Sequence, residues 1–325
     1  MRSEAATKSP VAEGPERGAG GEGSHMEQLV LADKAARPIV RKARPRDRGA
    51  LVERVVIYLL LIFAAGVILL PLLWAFAASF TPNPQVFEYA SPFSIRAFLP
   101  INFTLEAYEA LFARGFGRSV LNTFILGVVV VVVGGLVNAM AGFAFARFNF
   151  RGKRFLFIFV IMVTFLIPVD LTAIPRYILV SDLGWINTWQ GLIIPGLASS
   201  TVIFLFRQFF EEIPQDLIDA ARVDGASWPR LFRSIILPIS KPVLITASLL
   251  MFLSQWDSFF WPLLVAPRPD LRVVQVDIAM AVGQFSTAWN QLLAGANVAA
   301  IVPILLLLPF QRYYIQGIMS SGIKE

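Results

Sequence analysis

Few side chains in this chain could do covalent or metal chemistry. Its 325 residues include no cysteine and one histidine, His25, in a polar stretch near the start. Thiolate nucleophiles, disulfides and thiolate metal sites are therefore excluded, and most zinc and general-base arrangements go with them. No G-x-x-x-x-G-K-[ST] phosphate loop occurs, so the chain itself is not expected to hydrolyse ATP. What remains are polar and ionisable groups in unusual surroundings. Asp257 falls within an apolar run beside Gln255, Trp256 and Ser258, and Asp170 lies between Pro168 and Pro175 with Arg176 nearby. A charge in an apolar span is costly and marks a functional candidate. Trp faces suit sugar rings, and the neighbouring amide and hydroxyls suit sugar hydroxyls, so these five residues are candidates for a solute path. A helix-packing or partner-facing cluster is the competing reading at 255–258, and a local Asp–Arg pair at a helix break is the competing reading at Asp170. Asn122 and Asn138 are expected to act as interhelical hydrogen-bond glue.

A second constellation is mechanical. The stretch DAARVDGASWPRLFRSIILPISKP, Asp219 to Pro242, is polar and helix-like between two apolar runs. Pro214 fits a first helical turn, with Gln215 and Asp216 near the positive end. Leu217, Ala220, Ala221 and Asp224 share a face by three-and-four spacing. Gly225 suits a left-handed break, Ser227 can cap a second helix with Pro229 in its first turn, and Leu231, Phe232, Ile235 and Ile236 form its apolar side until Pro238 ends it. The spacing predicts a pair of short helices, with Ala220 and Ala221 as a small-residue patch for a partner. An amphipathic connector lying on lipid headgroups is the plainer alternative.

The elements that hold these residues follow from composition. Hydrophobic residues make up 56% and charged residues 15%, with a mean hydropathy of +0.66, against roughly 25% charged in soluble domains. A span needs about 20 apolar residues. Six segments qualify: Val55–Phe80, Val120–Phe145, Phe155–Leu179, Gly191–Phe210, Val243–Val265 and Val298–Tyr314. With the amino terminus inside, nineteen Lys and Arg flank the inner ends against six outside, so both termini are expected in the cytoplasm. The net charge of +6 is then a matter of topology, not nucleic acid. Residues 1–54 read as a disordered basic cytoplasmic arm. Within it, Gly23–Met26 (GSHM) resembles a cloning remnant and Met26 an alternative start. The transmembrane domain is expected over 55–325, with 207–242 as its long inner connection.

The hairpin resembles the EAA loop of ABC importer permeases: E-A-A, three residues, Gly, nine residues, Ile-x-Leu-Pro. Here it reads Asp219-Ala220-Ala221, Gly225 and Ile235-Ile236-Leu237-Pro238, with Asp in place of the usual Glu. The resemblance extends over about 55–325 through NFTLEAYEALF (Asn102–Phe112), NTFILG (Asn122–Gly127), FAFARFNFRGKRFLF (Phe143–Phe157), LGWINTWQGLIIP (Leu183–Pro195), RQFFEEIPQDL (Arg207–Leu217), WDSFFWPLLV (Trp256–Val265) and FQRYYIQGIMSSGIKE (Phe310–Glu325). The chain is similar to the MalG-type permease subunits of carbohydrate importers, within the binding-protein-dependent transport inner-membrane components. That resemblance implies an all-α integral membrane fold of MetI-like type: six transmembrane helices and a cytoplasmic coupling hairpin. It implies a permease of a binding-protein-dependent ABC importer in a prokaryotic cytoplasmic membrane, carrying a sugar or oligosaccharide. A polyol or glycerol phosphate is the alternative cargo. Implied partners are a MalF-like permease, two ATPase subunits that bind ATP and Mg, and an extracytoplasmic solute-binding protein. No cofactor is expected in this chain. Asp219, Ala220, Ala221, Asp224, Gly225 and Ala226 are implied as the ATPase-coupling residues. On the residues alone three other functions are alternatives. An ion-coupled carrier would show internal repeats and mid-membrane relays, a membrane enzyme would need a clustered nucleophile or metal site, and the hairpin alone could serve a scaffold.

Overall fold

The structure, a computed structural model, describes residues 48–88, 94–99, 102–283 and 286–322, with backbone alone at 48–51, 162–165, 169–170 and 311–322. Among them the regular structure is helical, apart from one bridge between Val282 and Thr287. An apolar medium leaves backbone groups no water to bond, so a chain this apolar is driven to helix. In order the helices are α1 Arg48–Ala78, α2 Glu106–Ala113, α3 Phe116–Arg147, α4 Lys153–Leu166, α5 Ala173–Asp182, α6 Trp189–Gly196 and α7 Ser200–Glu212. They continue as α8 Gln215–Val223, α9 Trp228–Ile239, α10 Lys241–Trp256, α11 Phe260–Val265, α12 Val274–Ala279 and α13 Trp289–Gly322.

The all-α fold with membrane-length helices and a helical hairpin is as expected. Val52–Ala78, Phe116–Arg147 and Trp289–Phe310 are each long and apolar enough to cross a membrane, and two further segments qualify as bent pairs. The details depart from straight spans. The expected third span is divided: α4 stops at Leu166, before Pro168, a short turn covers Val169–Thr172, and α5 follows. Proline removes a donor and restricts the residue before it, so the helix ends there. The fourth is bent by 43° between α6 and α7. The fifth ends at Trp256 and resumes only at Phe260. Residues 48–54, placed by sequence in a disordered arm, are already the start of α1, while 1–47 lie outside the described residues.

The chain divides into two units, Met1–Ala65 and Gly66–Glu325, with the boundary inside α1. The described part of the first is helix with an exposed apolar surface. The second holds the core. There α3 and α7 lie side by side, and Gly142 permits it: a Cβ added there would stand 2.6 Å from Phe206 Cβ and 3.1 Å from Ile203 O. Around this contact Phe210 stacks on Phe206 at 5.6 Å and meets Phe143 edge-to-face at 6.0 Å, both geometries that aromatic pairs favour. The run of valines in α3 is wound as a π-turn over Val130–Gly134, a local bulge of a kind often found at functional sites.

At the end of the molecule away from the hairpin, α12 is tied to α3. Asp277, with a side chain 3% exposed, accepts from Ser119 Oγ at 2.7 Å and stands 3.7 and 3.9 Å from Arg114 and Arg272. Thr123 Oγ1 accepts from the Val274 N–H, and the Asn122 amide donates to the Asp270 and Arg272 carbonyls. Asn122, expected to bond helix to helix, instead ties α3 to the loop before α12.

The α3–α7 contact yields a stability test. Gly142→Val forces overpacking that costs about 1–3 kcal/mol, so thermal unfolding of the detergent-purified chain should begin several degrees lower. Gly135→Ala in the same helix, where an added Cβ has nothing within 4 Å, should leave the midpoint unchanged or raised. Equal effects at both positions would refute the close-approach account.

Candidate functional site

The hairpin forms where the sequence placed it. α8 begins after Pro214, which occupies the position preceding the helix, one residue earlier than expected. Its inner face is Ile218, 1% exposed, and Ala221, 7% exposed. Ala220 is exposed, with Asp216, Leu217, Asp219, Val223 and Asp224. The pair Ala220–Ala221 is therefore split: Ala220 is free for a partner, and Ala221 seats the helix on its own protein. One position apart on a helix means about 100° of rotation, which separates the two faces.

The turn after α8 is closed by backbone bonds. Asp224 N–H donates to Ala220 O, Gly225 N–H to Arg222 O and Ala226 N–H to Ala221 O, at 2.9–3.1 Å. Gly225 sits at φ +81°, in the left-handed region that glycine enters without a Cβ penalty, and nothing lies within 4 Å of where a Cβ would stand. Arg222 donates to Ala226 O at 2.9 Å and lies over the Trp228 ring at 5.0 Å. Asp219 accepts from Gln215 Nε2 at 2.9 Å. Ser227 occupies the capping position of α9, but its side chain makes no capping bond. Pro238 does not end the arm: α9 runs to Ile239, and the chain then bends by 83° into α10, with Ser240 Oγ donating to Ile236 O.

The hairpin is anchored at its base by Arg147, the last residue of α3. Its guanidinium donates to the Phe210 and Ile213 carbonyls at the end of α7, and at 3.0 Å to Gln215 Oε1 at the start of α8. Bonds to terminal carbonyls satisfy the acceptors a helix end leaves open. Sequence reading had counted Arg147 only as one of the inner basic residues.

At the other end of α7 the helix break is held by Asn138. This side chain, 0% exposed, donates to Leu197 O at 2.8 Å and Gly134 O at 2.6 Å, and accepts from the Ser199 N–H at 2.8 Å. The interhelical role expected of it is thus realised as a staple across the α6–α7 bend.

The solute-path candidates are not one constellation. Trp256 is 1% exposed, stacks on Phe252 at 5.7 Å and donates from Nε1 to Ala299 O at 3.0 Å. It is core, so the expected sugar-stacking face is corrected: α10 buries its indole against α13. Asp257 is not mid-helix but in the position that follows α10, exposed, with its N–H donating to Leu253 O. Ser258 is half-buried in the break before α11. Gln255 lines a cleft with Gly196, Ser199, Thr201 and Ser254. The Asp170 side chain lies outside the described residues, and Arg176 lies over the Trp261 ring at 4.5 Å. Among the described residues no group of three His, Cys, Asp or Glu could hold a metal.

Residues 138–320 match the family described as binding-protein-dependent transport system inner membrane component. The sn-glycerol-3-phosphate transport system permease protein UgpE of Salmonella typhi is 34% identical over 271 residues, which cover 81% of this chain and 94% of that protein. UgpE of Brucella melitensis biotype 1 is 32% identical over 280 residues, 83% of this chain and 97% of that protein. Among solved structures, a bacterial ABC transporter involved in the import of the acidic polysaccharide alginate superposes with a TM-score of 0.69 at 22% identity, over 82% of this chain and 98% of that one. It has the same fold.

Gly225 separates strain from crowding. Since the space is empty, Gly225→Asn should keep the turn, whereas Gly225→Val carries a left-handed cost of about 1–2 kcal/mol or more. Limited proteolysis across 223–227 should speed up for the Val variant and stay near wild type for Asn. Similar sensitivity in both would show that the backbone conformation is not what selects glycine.

Proposed function

This chain belongs to the family of binding-protein-dependent transport system inner membrane components, and from that premise we propose how its hairpin and helices serve import. It is a multi-pass membrane permease subunit of an ABC importer, and it works with a second permease, an ATPase and a binding protein. In our reading α8 docks on a separate ATPase subunit that binds ATP and Mg. Asp219, Ala220, Asp224, Gly225 and Ala226 shape the contact, while Ala221 fixes α8 to the permease. Two ATPase subunits closing on ATP would then pull the hairpins of this chain and its permease partner, opening the path outward. Both termini and the hairpin lie in the cytoplasm of a prokaryote on this reading, supported by the bias of basic residues toward one side.

The observation that carries the proposal is Val223. It is 88% exposed at the end of α8, on the face it shares by three-, four- and seven-residue spacing with exposed Ala220, Asp219 and Asp216, and Asp224 follows it in the chain. An apolar side chain so exposed, with acidic residues near it in the chain and next to a turn closed by three backbone bonds and one from Arg222, has the makings of a docking knob. Burying it in a partner cleft is worth about 1.5–3 kcal/mol.

For cargo we propose a sugar or oligosaccharide. The amide and hydroxyls gathered around Gln255 support it. A polyol or glycerol phosphate is the second reading, favoured by the name of the UgpE relatives.

Val223→Asp should leave insertion and thermal stability unchanged while retention of the ATPase subunit on the purified complex, and ATP-dependent uptake in proteoliposomes, fall roughly tenfold or more. Uptake that persists without ATP and follows an ion gradient would overturn the importer reading.

A further inference from the structure

The breaks in α7 and α10 meet in one place. α7 begins at Ser200 after its bend from α6, and α10 ends at Trp256. Between them lies a cleft of about 220 Å³ whose polar lining is Ser199, Thr201, Ser254 and Gln255, with Gly196 beside the Gln255 amide. Gln255 is about 20 Å along α10 from Lys241, and Thr201 is about 9 Å along α7 from Arg207 and about 15 Å from its ion-pair partner Glu211. Both therefore stand well inside a hydrocarbon layer of about 30 Å.

Thr201 and Ser254 are exposed and Gln255 is half-buried. Among the described residues none of these three side chains hydrogen-bonds to the rest of the chain. In lipid an unpaired hydroxyl or amide is costly, so such groups face water, a polar solute or a polar partner. The groove between α3, α10 and α13 shows the contrast: Phe124, Val128, Val132, Leu244 and Leu249 line it, which suits lipid or an apolar helix.

We propose that the polar cleft is a cargo subsite of this chain and that it takes an uncharged, hydroxyl-bearing group. The proposal deepens the importer reading and rests on it. Hydroxyls and a carboxamide both donate and accept, as alcohol groups of a sugar or polyol do. A phosphate monoester needs cations or open N–H donors, and no lining residue is ionisable. The amino end of α7 opens here, but Ser199 Oγ accepts from the Val202 N–H and Asn138 accepts from the Ser199 N–H, so two of its donors are taken. The cleft is smaller than the roughly 300–1,000 Å³ of a complete ligand pocket. It is a partial site, completed by whatever surface faces it.

The test uses the assembled importer in proteoliposomes with its binding protein and ATP. Uptake is measured over a panel of labelled mono- and disaccharides, polyols and sn-glycerol 3-phosphate. The expected result is ATP-dependent import of at least one uncharged solute. Gln255→Leu should raise the KM for that solute about two- to tenfold, the weight of one neutral hydrogen bond, with Gln255→Asn intermediate. Thr201→Cys, unique in a chain without cysteine, should react with a small hydrophilic thiol reagent and be protected by the imported solute. Import of sn-glycerol 3-phosphate alone would overturn the subsite. So would a Thr201→Cys thiol that stays unmodified with and without ATP, the result expected of a surface buried against the partner permease. So, too, would a labelled thiol that no imported solute protects, together with an unchanged KM. Failure of the importer reading looks different: wild-type vesicles respond to ATP with no uptake of any solute in the panel, and the subsite falls with it.

Discussion

Backbone groups bared where a helix breaks inside an apolar medium must be satisfied by the protein itself, and Asn138 does this for the bend between α6 and α7. One carboxamide pairs with the Leu197 carbonyl and the Ser199 N–H, which the bend would otherwise leave open. It can reach both because α3 lies against α7 at the distance Gly142 sets. Leaving one buried donor or acceptor unpaired costs about 1–3 kcal/mol, so the bend exists only with this side chain in place. The cleft beside Gln255 depends on the same arrangement, since its floor is the broken segment that Asn138 holds.

From that fixed break α7 runs without interruption to Glu212, a rigid rod of about 20 Å. At its far end Arg147 of α3 grips the last carbonyls of α7 and the first side chain of α8. The same two helices are therefore clamped at both ends, by an asparagine at the bend and an arginine at the hairpin. A displacement applied to α8 would be passed on as movement of this pair, because the close-packed contact between them leaves little slack to absorb it. Ala221 and Ile218 make the first link by seating α8 on the permease. The break in α10 stands against the other side of the cleft and follows α9 through an 83° bend. Both arms of the hairpin thus lead, by different helices, to the same polar site.

How much of this could be read beforehand depended on how local the determinant was. Gly225 was legible, because a single left-handed residue between two helical patterns calls for glycine. So was Asn138 as a tie between helices, since a lone amide in an apolar span has few other uses. Trp256 was not. α10 is apolar on nearly every side, so periodicity could not tell which face turns inward, and the indole proved to be bonded to α13. Asp257 was misplaced for the same reason: composition shows an apolar run but not where the helix stops within it. Asp277 escaped notice entirely. It is one acid in a short helix, and Arg114 and Ser119, two of the groups that give it meaning, lie 163 and 158 residues away.

Asp277 also shows why the end of α3 away from the hairpin need not resemble the hairpin end. Two arginines and a serine surround one buried carboxylate, and one carboxylate oxygen, Oδ1, has no hydrogen bond of its own. Burying such a group costs more than an apolar side chain of the same size would, so stability alone does not account for it. The ion pairs act together with the bonds from the Val274 N–H to Thr123 and from Asn122 to two loop carbonyls, all of which belong to one register of α12 on α3. A long connection between α11 and α13 is thereby made part of α3. A displacement of α8 carried through α7 to α3 would therefore take α12 with it, whereas a loosely tethered helix would stay behind. The hairpin and α12 are thus tied to opposite ends of one helix, with the buried charges at the end away from the hairpin.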